Sequence, residues 1–378
     1  KKIAESGQCF RWKELGPELQ NKIIGLYEYP AYVGMVLNSH ADLTLEAMET
    51  GEPYEIHGGF IASTNLLAGT CAAQPKRWHD AMVKLDFVFA ADCWITPTVQ
   101  CCADVILPLA TYAERQSMVG THYGASPNML GAVVDAVKVG ETKGDLEIQY
   151  ELGCRLNPGT YERFKDFEDF RAEFRLGNLG MSYEELREKV VVQRNVSYKK
   201  YETGKLRPDG QPGFLTPTGR VELWSSAFAN NGMDPLPYYY EPDLSPRIPE
   251  KSAEDLDLKR NPLVPEELDA KWHERDLPHE EIMEKYPFIM STGHRRYSSF
   301  HSEHRQVAVL RELDPNPMIE INPADAERIG VSDGQWVEIS NMFGSAKFKA
   351  RVMPTVGEGH VEVDHGWWFP EKDGNEPS

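Results

Sequence analysis

Apolar and polar positions along this chain follow two periods, and the change from one to the other divides it. Over the first 155 or so residues, short apolar runs take turns with helical spacing. Phe60-Ile61-Ala62-Ser63 reads as a strand that ends at the polar pair Thr64-Asn65. Trp78, Ala81, Met82 and Leu85 share one face at helical spacing, which predicts a helix over Trp78 to Leu85. Phe87-Val88-Phe89-Ala90-Ala91 reads as a buried strand that runs directly into Asp92. Ala103-Asp104-Val105-Ile106-Leu107-Pro108 reads as another, stopped by its proline. Strand, helix, strand in this rhythm predicts a parallel α/β sheet with crossover helices. Ligands of such sheets bind outside the carboxyl ends of the strands, which is where Thr64, Asn65 and Asp92 stand.

From about 156 to 285 the periodicity loosens. Tyr183 to Lys189 reads as a helix, and Arg207 to Gly213 as a loop by its Pro, Asp and Gly content. Gly219 to Trp224 reads as a strand. Residues 241–285, rich in Pro, Glu and Asp, read as an ordered but irregular surface connection. From Phe288 onward, short β runs are separated by glycine turns. Phe288–Ser291, Met318–Ile321, Trp336–Ser340, Ala346–Val352 and His360–His365 are strand candidates. Asn322-Pro323 opens a short helix, Ala324 to Ile329, and Gly330 ends it. Many short strands with even turns predict a small closed barrel. The division expected is therefore 1–155, 156–285 and 286–378.

Composition narrows the partners. The formal net charge of −19 argues against a nucleic acid or an anionic membrane surface. It does not forbid an anionic ligand, because local Arg, His and backbone N–H groups can hold a pyrophosphate inside an acidic protein. No apolar run is long enough to span a bilayer, so direct membrane insertion is not expected. The six cysteines (Cys9, Cys71, Cys93, Cys101, Cys102 and Cys154) include no C-x-x-C pair. They suit neither a disulfide scaffold, a structural zinc site nor an iron–sulfur cube, and read as buried free thiols.

Four ordered motifs carry a resemblance. Met318-Ile319-Glu320-Ile321-Asn322-Pro323-Ala324-Asp325-Ala326-Glu327-Arg328-Ile329-Gly330, followed by Asp333-Gly334 and Trp336-Val337-Glu338-Ile339, resembles the molybdopterin dinucleotide-binding domain of the dimethyl sulfoxide reductase family of molybdenum enzymes. Leu85 to Asp92, Thr96-Pro97-Thr98, Ala103 to Pro108 and Glu114-Arg115 resemble that family's third domain. Phe214 to Leu223 resembles the segment leading into its barrel. Ser291-Thr292-Gly293-His294-Arg295 with Phe300-His301 resembles the barrel's pterin-contacting loop.

The resemblance implies a parallel α/β sheet domain over 1–155, partial at its N-terminus, a return segment and connection over 156–285, and a six-stranded double-psi β-barrel over 286–378. It implies the C-terminal portion of a catalytic subunit that holds a molybdopterin guanine dinucleotide, in bis form, with Mo or W. It places the metal ligand and any iron–sulfur cluster in an N-terminal part, so no residue here is named as catalytic or metal-ligating. The activity implied is two-electron redox chemistry or oxygen-atom transfer on a small molecule, with an iron–sulfur electron-transfer subunit as partner. Non-redox hydration or hydroxyl transfer with the same cofactor is a second reading. A non-enzymatic binding module on a reused barrel is a third. Cellular location stays open.

By resemblance, Asn65, Asp92, Arg115 and Asp145 are dinucleotide contacts from the α/β part, and Thr292, Gly293, His294, Arg295 and His301 are those of the barrel. The chemistry suits them. A carboxylate such as Asp92 or Asp145 accepts both adjacent N–H groups of a guanine, and Thr292, the Gly293 backbone, Arg295 and His301 can donate to phosphates. His294 stands where the family commonly has arginine, so Arg295 or Arg296 is expected to substitute. Bland alternatives remain beside these. Asp92 could cap a helix, Arg115 could form a surface ion pair, Asp104 could be structural, and His304 and Arg305 could be solvated. Trp367 and Trp368 could wall a substrate funnel, stack on a pterin or plug the barrel's base.

Overall fold

The computed structural model describes residues 16–30, 32, 38–70, 74–120, 129–176, 180–193, 197–230, 233–236, 284–294, 296–299, 301, 304–341 and 344–370. In chain order the principal elements are α1 (Gly16–Ile24), α2 (Ala41–Thr50), β1 (Gly58–Ala62), α3 (Pro75–Met82), β2 (Phe87–Asp92), α4 (Pro97–Cys102), β3 (Val105–Pro108), β4 (Ser117–Gly120), β5 (Met129–Val133), α5 (Asp145–Leu156), α6 (Phe167–Arg171), α7 (Tyr183–Lys189), β6 (Val191–Gln193), β7 (Ile289–His294), α8 (Ala308–Leu313), β8 (Met318–Ile321), α9 (Pro323–Ile329), β9 (Trp336–Asn341), β10 (Gly344–Val352) and β11 (His360–Asp364). They form two compact units. The first comprises Phe89–Cys93 and Val105–Glu222, the second Pro17–Val88, Trp94–Asp104 and the chain from Leu223 onward.

In the first unit β2 pairs in parallel with β3, Phe89 opposite Val105 and Asp92 opposite Pro108. This is the parallel pairing predicted from the two apolar runs. An antiparallel sheet, β4-β5-β6, follows it. It packs Leu130 against Leu176, Tyr183 and Leu186, all buried. Helix α7 starts where its sequence predicts, because Ser182 and Glu185 exchange side-chain and backbone hydrogen bonds in a capping box.

The segment Gly219–Trp224 is not a strand. Its lead-in is a compact turn held by side chains. Thr216 Oγ1 donates to the Arg220 carbonyl at 2.6 Å, and Thr218 donates to Glu222 through both its N–H (3.1 Å) and its hydroxyl (2.8 Å). Gly219 sits at φ +70°, a conformation that favours glycine, and a side chain there would meet the Arg207 guanidinium at 2.2 Å. Local side-chain bonds of this kind compete with a strand ladder and here they win.

Arg207 also grips Asp209, with Nη2 to Oδ2 at 2.6 Å, and holds that carboxyl down at about 2. A carboxyl depressed in the folded state contributes order above its ordinary value and loses it as pH falls toward the folded one. The 207–220 turn is therefore expected to stay ordered at pH 5 and to loosen between about pH 4 and pH 2. A side-chain carboxyl titration of Asp209 by NMR checks this, and an unshifted midpoint near 4 would contradict it.

In the second unit α3 opens with Pro75 in its first turn and buries Trp78, Ala81 and Met82. The prolyl start moves the helix three residues earlier than the apolar spacing suggests, and Leu85 lies beyond its end. The Asp104 carboxylate accepts the Val88 N–H at 2.7 Å, so Asp104 is structural.

The C-terminal part of this unit is a five-stranded sheet in the order β7-β11-β8-β10-β9. β10 runs parallel to β8 and antiparallel to β9; β11 runs parallel to β7 and antiparallel to β8. The alternation read in the sequence becomes its core, with Ile319, Ile321, Ala350, Val361 and Val363 packed with Ala326 of α9. Helix α9 begins and ends as predicted. Asn322 Oδ1 accepts the Ala324 N–H at 2.9 Å, and Gly330 closes it at φ 72°. Buried Asp325 ties α9 to the turn before β11 by accepting the Gly359 N–H at 2.7 Å. Residues 241–283, most of the predicted irregular connection, lie outside the described residues. Among the described residues no helix is long and apolar enough to cross a membrane.

Candidate functional site

The loop after β1 leads into Asn65, which is buried. Thr98, on α4, is fully buried and holds this amide. Its hydroxyl donates to Asn65 Oδ1 at 2.9 Å and accepts the Leu67 N–H at 2.9 Å. Helix α4 is itself fixed by Thr96, whose hydroxyl accepts the Val99 N–H, and by Pro97 at its start. With its oxygen committed, Asn65 has its Nδ2 buried and without a partner. A buried amide N–H₂ left this way is costly unless an acceptor from outside the chain completes it.

In the other unit Asp92 ends β2, half-buried, and its carbonyl accepts the Leu109 N–H at 3.1 Å. Asp92 does not cap the following helix, because Thr96 does. Arg115 and Asp145, two residues predicted as separate contacts, form an ion pair with each other. Asp145 occupies the first turn of α5, where a carboxylate suits the helix dipole. Arg115 reaches it across Gly144, where an added Cβ would stand 3.4 Å from Arg115 Cδ. The Arg115 Nε is buried without a hydrogen-bond partner. The pair borders a cleft of about 610 Å³ that Gln116, Lys138, Thr142 and Arg171 also line. That volume suits a drug-sized or nucleotide-sized ligand.

The predicted loop of the C-terminal sheet is only partly described. Thr292 and Gly293 are exposed in β7, and the Gly293 N–H turns to Ser291 Oγ at 3.4 Å. The backbone of His294 ends that strand; its side chain and all of Arg295 lie outside the described residues. His301 Nδ1 lies 3.4 Å from His365 Nε2, which joins the loop to the end of β11. Arg296, expected as a substitute phosphate contact, is engaged elsewhere. Its Nε donates to buried Asp364 at 2.8 Å, and its Nη1 to Asp314 at 3.3 Å.

Solvation was one of the readings open for His304 and Arg305, and the structure does not bear it out for Arg305. His304 packs its ring edge-on to Trp94 at 6.4 Å, and Arg305 is 4% exposed with its guanidinium 3.8 Å above the Trp367 ring. An arginine stem and a neighbouring indole can bury together in this way, and nothing in the local pattern around Arg305 announces it. Thr98 was legible only as part of a motif, since its role depends on a partner 33 residues away.

The cysteines also depart from expectation. Of the four described, Cys102 is buried, with its thiol pushed up to about 12 by burial, whereas Cys93 is exposed. Partial burial and the Asp92 charge raise the Cys93 thiol as well. Among the described residues no His, Cys, Asp and Glu cluster could hold a metal ion.

Residues 288–376 match the family described as "Molydopterin dinucleotide binding domain". The chain is 28% identical over 330 residues to acetylene hydratase of Syntrophotalea acetylenica, covering 87% of this chain and 39% of that protein. It is 26% identical over 428 residues to dopamine dehydroxylase of Eggerthella lenta, covering 94% and 38%. It is 24% identical over 326 residues to dimethyl sulfoxide reductase DmsA of Haemophilus influenzae, covering 80% and 36%. The solved structure of acetylene hydratase from Pelobacter acetylenicus superposes with a TM-score of 0.73 at 24% identity, over 96% of this chain and 47% of that one. The chain thus spans about two fifths of the length of these relatives. It is similar to molybdopterin-dependent enzymes of the dimethyl sulfoxide reductase family, and its C-terminal part matches the model of a molybdopterin dinucleotide-binding domain.

Proposed function

We propose that this chain holds one end of a molybdopterin guanine dinucleotide within a bis-dinucleotide molybdenum or tungsten oxidoreductase acting on a small molecule. The match over residues 288–376 carries this reading. A buried donor without a partner, Asn65 Nδ2, supports it, because an acceptor-rich ligand would complete it. Two-electron redox chemistry is what the metal supplies when bound; the contribution of these residues is to bind and orient. The residues assigned to the dinucleotide are Asn65, Asp92, Arg115, Asp145, Thr292, Gly293, His294, Arg295 and His301. In this reading the five strands belong to a six-stranded double-psi barrel over 286–378, preceded by the α/β domain over 1–155 and the return segment over 156–285. An iron–sulfur cluster and an iron–sulfur electron-transfer subunit lie outside this chain.

A second reading keeps the cofactor and removes net redox change, because one relative is named a hydratase and another a dehydroxylase. Turnover of the full-length enzyme with and without an electron donor separates the two. The cofactor assignment is tested by acid release of guanine nucleotide from purified full-length enzyme. Asn65→Ala combined with Asp92→Ala is expected to lower nucleotide per polypeptide at least roughly tenfold, since each truncation removes hydrogen bonds worth about 1–3 kcal/mol. Full retention of nucleotide would sink the site assignment.

A further inference from the structure

The second unit contains a buried guanidinium, Arg305, that no carboxylate meets in an ion pair among the described residues, although the charges of Asp364 and Asp314 act on it from farther off. Arg305 is 4% exposed. Its neighbours are otherwise committed. Arg296 is spent on Asp364 and Asp314, and the Asp364 carboxylate also accepts the Met318 N–H at 2.8 Å. Burial brings Arg305 down to about 10, which still leaves it charged at neutral pH. The backbone around it is fixed at some cost. His304 adopts φ 67°, unusual for a residue with a side chain, and Gln306 Nε2 donates to the Ile95 carbonyl at 3.2 Å. Beneath the guanidinium lies Trp367, itself buried. Arg305 Nε and Trp367 Nε1, stacked on one another, are both buried donors without partners. Neither group can accept a hydrogen bond, so what completes them is an acceptor, and the charge makes it an anion.

We propose that Arg305 and Trp367 form an oxyanion site, in which the Arg305 Nε–H and the Trp367 indole N–H donate to oxygens of a phosphate-type group, and that the pyrophosphate of the bound dinucleotide is the group they hold. This rests on the cofactor reading above.

The test uses full-length enzyme as wild type, Arg305→Gln, Arg305→Lys and Trp367→Phe, each first checked by a thermal melt. Inorganic pyrophosphate is titrated calorimetrically into the cofactor-free form, and guanine nucleotide released by acid is measured on the enzyme as purified. Arg305→Gln is expected to bind pyrophosphate at least tenfold more weakly and to retain less nucleotide. Arg305→Lys should recover part of the loss by keeping the charge without the planar fork. A folded Arg305→Gln enzyme with wild-type pyrophosphate affinity overturns the proposal and leaves Arg305 as a packing cation. Should Arg305→Gln not fold, Trp367→Phe decides in the same titration, since it keeps the ring and removes the donor; unchanged affinity there overturns the proposal too. Loss of pyrophosphate binding with unchanged nucleotide content overturns the assignment to the dinucleotide and leaves an oxyanion site for a different phosphate-type group. Wild-type enzyme that binds pyrophosphate through Arg305 but carries no guanine nucleotide sinks the cofactor reading and leaves the oxyanion site standing.

Discussion

Replacing Asp364 by alanine is expected to destabilise the C-terminal sheet unit by about 3–5 kcal/mol, the range for removing one partner of a buried ion pair. The Asp364 side chain is 2% exposed, ends β11 and serves two elements at once. It accepts Arg296 Nε at 2.8 Å and the Met318 N–H at the start of β8, also at 2.8 Å. Alanine strands both donors. Arg296 keeps Asp314 as a partner, but its Nη2 is already buried without one, so the guanidinium has little left to hold it. Asp364→Asn retains the shape and an acceptor and is expected to cost less. Asp364→Leu with Arg296→Met should regain most of the loss, because an apolar pair needs no desolvated charge. Thermal melts of the three variants read this out. A melting point for Asp364→Ala within about 2 °C of wild type would mean that solvent or another cation takes over the role.

Thr98→Val is expected to have the next largest effect, and it touches function directly. Valine fills the same volume in this fully buried position, so packing changes little and the hydroxyl is what is lost. Two groups lose a partner, the Leu67 N–H and Asn65 Oδ1, each held at 2.9 Å. Each buried group left unsatisfied costs about 1–3 kcal/mol. The Asn65 amide is then free to turn, and its N–H₂ no longer points one way. Guanine nucleotide retained by full-length enzyme should therefore fall together with stability in Thr98→Val and stay near wild type in Thr98→Ser. Nucleotide retention unchanged in Thr98→Val would separate Asn65 from cofactor binding.

Legibility followed the range of the interactions. The strand after Leu85, the capped helices at Ser182 and Asn322 and the alternating strands from Met318 to Asp364 depend on neighbours a few residues apart, and the pattern shows them. The 216–222 turn escaped because threonine and glutamate side chains bond their own backbone, which apolar periodicity does not register. The candidate site was legible as a set of residue types but not as a set of pairs. Arg115 and Asp145 read as two ligand contacts and are partners 30 residues apart. Arg296 read as one of two candidate phosphate contacts and is bound to a carboxylate 68 residues on. Solvation stayed open for Arg305 because nothing within the loop foretells an indole at Trp367 beneath it. Long-range pairing decides which charges remain available to a ligand, and that information is not local.

The strand order β7-β11-β8-β10-β9 has a consequence for synthesis of the protein. β7 is the first strand of its sheet to leave the ribosome, and it joins the sheet through β11, the last. Until Asp364 has emerged, Ile289–His294 has no strand of this sheet beside it, and the Met318 and Arg296 donors lack their acceptor. The sheet therefore closes late, after translation has passed its final strand, and a nascent chain halted before His360 carries β7 as an unpaired edge.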